Sequence, residues 1–158
     1  MDGRIFYVTK EKLKELKKEY EKLVAFERSK TVGQKAPKIL ESEDINLEFV
    51  SFQEDMGFLR SRIKELENIL GHYELIKKPV KEKQIFVDLG AKVKIEVTGK
   101  NDEFLIVGTL EANPGLGKIS NESPVGKALL GHKIGDEIII ASPVKTIYKI
   151  KGIKYEIS

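Results

Sequence analysis

Apolar residues recur along the first half of the chain at helical spacing. Leu13, Leu16, Tyr20 and Leu23 follow one another at steps of three, four and three, behind Thr9, whose hydroxyl suits the cap of a helix opened by Lys10, Glu11 and Lys12. The pattern loosens after Leu23 through Gly33 and Pro37, each of which weakens or bends a helix. A second stripe is longer. Ile45, Phe49, Phe52, Met56, Leu59, Ile63, Leu66, Leu70 and Tyr73 alternate steps of four and three. A mean period of about 3.5 residues is that of a coiled-coil seam. Two such narrow stripes, joined by a short polar connection at 41–44, can bury themselves only against each other. This predicts an antiparallel helical hairpin standing out as a stalk.

The second half changes character, with β-branched runs punctuated by glycine. Strands are predicted at Gln84–Leu89, Lys92–Thr98, Phe104–Leu110, Glu137–Ala141 and Thr146–Ile157, with turns at 99–101 and 135–136. One helix interrupts them: Ser123 is its N-cap, Pro124 its first residue, Ala128 to Leu130 its apolar face, and Gly131 its end. Between the halves, GHYELIKKPVKEK at 71–83 combines a helix stop with a lysine-rich stretch around Pro79. The expected organisation is α+β in two domains, a hairpin at 1–78 and an antiparallel sheet domain with one short helix at 79–158.

Composition narrows the chemistry. With 158 residues, 41% of them hydrophobic, the chain can form one ordinary domain or two small ones, and a large multidomain enzyme is excluded. It has no Cys, which removes disulfides, thiolate catalysis and sulfur-ligated zinc, and its two His residues leave no His-rich metal site. Gly115-Leu116-Gly117-Lys118 lacks the spacing of a phosphate loop and reads as a turn between strands. His72 and His132 follow predicted helix ends, where a cationic ring is favoured by the dipole. No run approaches the roughly 20 apolar residues of a membrane span, and the first residues lack a signal-peptide layout, so a cytoplasmic address is expected.

Charge is nearly balanced overall, 28 Lys and Arg against 25 Asp and Glu, but it is unevenly placed. Residues 1–38 hold eleven bases against six acids, whereas 41–55 hold Glu41, Glu43, Asp44, Glu48, Glu54 and Asp55 with no base among them. Acids would therefore gather at the hairpin tip. Two readings stay open: solvated acids favoured at a turn and a helix start, or Glu43 and Asp44, with Glu41 next, offering oxygen ligands to a hard cation such as Mg²⁺ inside another molecule's site. Two or three carboxylates do not complete a cage by themselves.

The stretch IVGTLEANPGLGKISNESPVGKALLGHKIGDEIII at 106–140, with MGFLRSRIKELENIL at 56–70, resembles the Gre transcript-cleavage factors, the GreA/GreB family. The resemblance covers nearly the whole chain. It implies a coiled-coil hairpin joined to a C-terminal domain of FKBP-like fold that docks on RNA polymerase. The hairpin would enter the secondary channel, its tip acids helping to hold Mg²⁺ shared with the polymerase while backtracked RNA is cleaved near its 3′ end. On that reading the factor has no active site of its own, binds no cofactor tightly and works as a monomer. The resemblance also implies an RNA-facing basic patch, for which Lys12, Lys14, Lys17, Lys18 and Lys22 are the candidates. It marks Ser123, Pro124, Gly126, Lys127, Gly135 and Asp136 as docking candidates, although capping, packing and a tight turn account for most of these.

The tip departs from the family pattern Asp-Leu-Ser/Lys-Glu-Asn-Ala-Glu-Tyr. Aligned back from the second helix, Asn46 and Glu48 match and Ser42 and Ile45 fall at the functional acidic positions; aligned forward, Glu43 falls at the first. Glu43 and Asp44 then serve in a shifted register. The alternative is a homologue that occupies the channel and inhibits polymerase, and a more distant one is an FKBP-type prolyl isomerase or chaperone.

Overall fold

The computed structural model describes residues 3–30, 47–141 and 144–157, with side chains from residue 50 onward in the second of these segments. They fall into two compact units, one within Glu11–His72, the other combining Met1–Lys10 with Tyr73–Ser158. Residues 3–10 thus associate with the sheet unit rather than with the helices that follow them.

The helical unit consists of α1 (Lys10–Arg28) and α2 (Leu47–Gly71). Its antiparallel pairing is read from two bonds: the Tyr20 hydroxyl donates to Glu67 at 3.1 Å and Arg60 Nε donates to Glu27 at 3.3 Å. One heptad forward on α1 is one heptad back on α2. Between the helices Met56, Leu59 and Ile63 are buried against Tyr20, Leu23, Val24 and Phe52, as the periodicity requires. Farther along, Leu13, Leu16 and Leu66 are buried too, joined by Ile69, which the seam pattern passes over in favour of the half-buried Leu70.

Tyr73 is not the last seam residue, because α2 stops at Gly71 and Tyr73 opens a strand. His72 closes the last turn as expected: its N–H donates to Ile69 O at 3.1 Å and its Nδ1 to Asn68 O at 2.9 Å. The predicted connection at 41–44, with Gly33, Pro37 and Ile45, lies outside the described residues.

A charged clamp spans the seam. Arg62 grips Glu19 through Nε at 2.7 Å and Nη2 at 2.9 Å, and also reaches Glu65 at 3.0 Å. The Arg62 hydrogen bond holds the Glu19 carboxyl below its ordinary value of 4.5. Gly57 is the odd residue of α2: it is exposed in a helix interior, where glycine is roughly 1 kcal/mol less favourable than alanine.

In the other unit β1 (Phe6–Val8) and β2 (Tyr73–Leu75) form a short parallel pair, Tyr7 opposite Glu74. The main sheet has five strands in the order β5 (Lys118–Ser120), β4 (Lys100–Val107), β3 (Ala91–Val97), β7 (Thr146–Tyr155), β6 (Glu137–Ile140). All neighbours are antiparallel except β4 and β5. Val93, Ile95, Ile106, Ile138 and Ile150 line its inner face, covered by Leu129 of α3 (Pro124–Leu129).

The expected strand at Gln84–Leu89 is not one. A 3-10 turn at Lys81–Lys83 leads in, the Gln84 amide is held by Pro79 O at 2.8 Å, and only a single bridge joins Phe86 to Lys133. Val87 is buried while Ile85 and Phe86 stay exposed, so the run never presents one continuous face. It is anchored instead by the Tyr155 hydroxyl, which donates to Phe86 O at 2.6 Å and whose pKa burial pushes up to about 12. The hairpin turn lies at Thr98 and Gly99, both with positive φ, one residue earlier than expected, because a two-residue turn matches the twist of the strands. Finally, β4 ends at Val107, short of Leu110, where Tyr7 crosses: a Cβ on Gly108 would overlap the Tyr7 carbonyl.

Gly108→Ala is therefore expected to destabilise the sheet unit by roughly 1–3 kcal/mol in urea unfolding, and an unchanged midpoint would mean that β1 is not held there. For the clamp, the sign follows from the lowered Glu19 value: the pair supports the fold above pH about 4.5 and that support is lost as acid carries the pH down through the folded-state value. A carboxyl-detected NMR titration should place Glu19 below 4.5 and move it back toward 4.5 in Arg62→Gln.

Candidate functional site

Helix geometry sorts the five candidate lysines. At about 100° per residue, Lys14, Lys18 and Lys22 fall opposite the seam of Leu13, Leu16, Tyr20 and Leu23, while Lys17 flanks it beside Leu13; all four are exposed, and the exposed Glu11 and Glu21 share their arc. None of the four makes an ion pair among the described residues. Lys12 falls beside the seam instead, half-buried and 3.6 Å from Glu15. Three of the five therefore lie opposite the seam on a face that also carries Glu11 and Glu21, Lys17 lies at its edge, and Lys12 is a neighbour of the charged clamp.

Glu41, Glu43 and Asp44, with the Mg²⁺ expectation attached to them, lie outside the described residues. Among the described residues no group of three His, Asp or Glu side chains is placed to hold a metal ion, and no helix is long and apolar enough to cross a membrane.

The docking candidates cluster around α3. Ser123 caps it, accepting from the Gly126 N–H at 3.1 Å and donating to Ser120 O at 2.7 Å, and Pro124 takes the first turn. Gly126 is buried, and a Cβ there would overlap the Ser120 carbonyl. Its glycine is thus a packing requirement. Among the four candidates at α3, Pro124 and Lys127 are left exposed. Gly135 turns the chain with a φ of 95°, its N–H donating to Ile150 O at 2.9 Å. Asp136 accepts from the Lys133 N–H at 3.0 Å and pairs with His132 Nδ1 at 3.1 Å. Those two bonds, the backbone one first, hold its carboxyl below the ordinary range. His132 serves this turn through its ring, beyond the helix-end role expected of it.

One residue of this unit escaped the sequence reading. Glu111, just past β4, accepts the Thr9 N–H at 2.7 Å and the Thr9 hydroxyl at 3.0 Å. The residues are 102 positions apart, and no local pattern ties them. On the outer sheet face a groove of about 810 Å³ is lined by Lys94, Glu96, Asn101, Glu103 and Lys151 among others, but Lys151 pairs with Glu96 at 3.0 Å and Glu103 with Lys92 at 3.2 Å. Charges that satisfy each other do not make a catalytic constellation.

The comparisons with known proteins bear on the whole chain. Residues 6–75 match the family model for the N-terminal domain of the transcription elongation factors, and residues 82–155 match that for the GreA/GreB C-terminal domain. The chain belongs to the GreA/GreB family. Transcription elongation factor GreA of Thermomicrobium roseum is 39% identical over 142 residues, covering 89% of this chain and 90% of that one. The GreA of Geobacillus kaustophilus is 35% identical over 151 residues, covering 93% and 95%. Among solved structures, the GreA factor homolog 1 of Thermus thermophilus is 23% identical, covering 96% of this chain and 99% of that one at a TM-score of 0.41. In this member of the GreA/GreB family the boundary between the two matched segments, at 75–82, falls inside the lysine-rich stretch singled out from composition.

The two exposed and buried members of the α3 cluster separate packing from contact. Gly126→Ala should lower stability by roughly 1–3 kcal/mol, whereas Lys127→Ala should stay within about 0.5 kcal/mol of the wild type; thermal unfolding of both decides the assignment.

Proposed function

We propose that this protein binds RNA polymerase, passes its helical hairpin into the secondary channel and stimulates cleavage of backtracked RNA. The observation that carries the reading is the match of both family segments across a chain whose helices pair in antiparallel order through an apolar seam. Such a hairpin is stiff enough to deliver a charged tip to a distant site: at about 1.5 Å per residue the 25 residues of α2 alone extend roughly 37 Å.

The division of chemistry follows from what the chain carries. Glu43 and Asp44, with Glu41, are hard oxygen donors and fit Mg²⁺ by type. When bound at the polymerase centre that ion offsets negative charge on the phosphoryl group undergoing transfer. The factor's own residues supply position and negative charge and no nucleophile, so it has no separate active site. Lys14, Lys17, Lys18 and Lys22 face the displaced RNA 3′ segment, where phosphate contacts weaken as salt is added. Pro124 and Lys127 border the surface that docks the sheet unit. The protein acts in the cytoplasm as a monomer.

Purified protein added to stalled, backtracked elongation complexes with Mg²⁺ should shorten the labelled transcript. Glu43→Ala combined with Asp44→Ala should reduce the stimulated rate by at least about 10²-fold while polymerase binding stays nearly intact. Full activity in the double variant would move the assignment to Glu41 or Glu48, and arrested elongation without shortening would replace the reading with that of a channel-occupying inhibitor.

A further inference from the structure

Phe58 is 76% exposed, more than any other large hydrophobic side chain among the described residues. It stands beside Gly57 on the side of α2 turned away from the seam. At about 100° per residue, Val50, Ser51, Glu54, Gly57, Phe58 and Ser61 share that side, and all six are exposed. Only Glu54 among them is charged, in a chain where 34% of residues are. From Lys64 onward the same side of the helix becomes charged again, with Lys64 and Glu65. A merely solvated helix face would continue that charged pattern throughout.

Gly57 sharpens the contrast. A Cβ built on it meets no heavy atom of a described residue within 4 Å, so packing against the described parts of the chain does not demand glycine there. The helix nevertheless carries the least favourable residue short of proline at this position. What a missing Cβ provides on an outer helix face is close approach by another surface. Phe58 beside it provides a flat apolar group to fill a recess in that surface.

Charge identifies the occupant. Glu54 and Asp55 flank Phe58 on the tip side, both exposed and with no ion pair among the described residues. Carboxylates there repel phosphate and attract Lys or Arg. We infer that the Val50–Ser61 face of α2, centred on Gly57 and Phe58, docks against a protein wall of the polymerase channel that presents an apolar recess beside basic side chains. This rests on the proposed function and deepens it: the arm has a protein-facing side on α2 and a phosphate-facing side on α1.

The test uses full-length protein and core polymerase, with thermal unfolding, polymerase affinity and cross-linking read in parallel. Gly57→Ala should keep or raise the melting temperature yet weaken polymerase affinity at least threefold, a combination that a purely structural role cannot produce. Phe58→Ala should weaken affinity by about tenfold with the melting temperature unchanged, and Glu54→Lys with Asp55→Lys should weaken it further as salt is lowered. A photoreactive phenylalanine at position 58 should label polymerase protein. Wild-type affinity in both Gly57→Ala and Phe58→Ala, or labelling of RNA in place of protein, would overturn the inference alone. Failure of the wild-type chain to bind polymerase would overturn the function on which it rests, and the inference with it.

Discussion

The narrow seam between α1 and α2 is the constraint on which the rest depends. An apolar stripe only wide enough for Met56, Leu59 and Ile63 to meet Tyr20, Leu23 and Val24 leaves most of each helix surface free. That freedom is what lets one helix carry a lysine-bearing face and the other a nearly uncharged one. A broader stripe would have drawn the helices into a globular core and consumed both faces. The clamp of Arg62 on Glu19 adds register more than stability: the pair is partly exposed, where ion pairs contribute little, yet its two-pronged geometry suits one alignment of the helices.

The ends of the hairpin are secured by interactions of a different kind. The strand before α1 and the strand after α2 pair with each other, so the chain enters and leaves the helical unit through one backbone-bonded pair of strands. Glu111 then takes the N–H and hydroxyl of Thr9, immediately before the helix begins, and Gly108 gives up its side chain so that Tyr7 can pass. A carboxylate at a helix start also complements the positive end of the helix dipole. Three independent contacts thus fall on the four residues Phe6–Thr9 that precede α1.

Local rules read most of this from the sequence. Leu13 to Leu23 and Phe52 to Leu66 declare their helices through spacing alone, and Ser123, Pro124 and Gly131 declare α3 through capping chemistry. What the sequence conceals is non-local. The β1–β2 pair joins two three-residue segments far apart in the chain, each too short to show alternation, so Tyr73 reads as the continuation of a helix. Gln84–Leu89 misleads in the opposite way, since it has the composition of a strand but pairs only through the Phe86–Lys133 bridge and the Val87 bonds to Gly131 and His132. At the candidate site, helix period alone places Lys14, Lys18 and Lys22 opposite the seam and Lys12 and Lys17 on its two flanks. Glu111 was not legible, since nothing near it in the chain resembles its partner.

The two outer faces of the hairpin make a stronger argument together than apart. A coiled coil that only spanned a distance would be free to scatter charges on every side, as solvation alone requires. Here lysines gather on α1, and α2 answers with Gly57, Phe58 and Ser61 over little more than one turn, where a charged residue would be cheaper in water. Charged and uncharged surfaces on opposite helices give a rod a preferred rotation about its own axis inside a narrow, sided environment. Under the proposed function the tip carboxylates have to reach a particular metal, and there rotation matters as much as reach, because a few ångströms of misplacement at the end of the rod would remove the ligand from the ion.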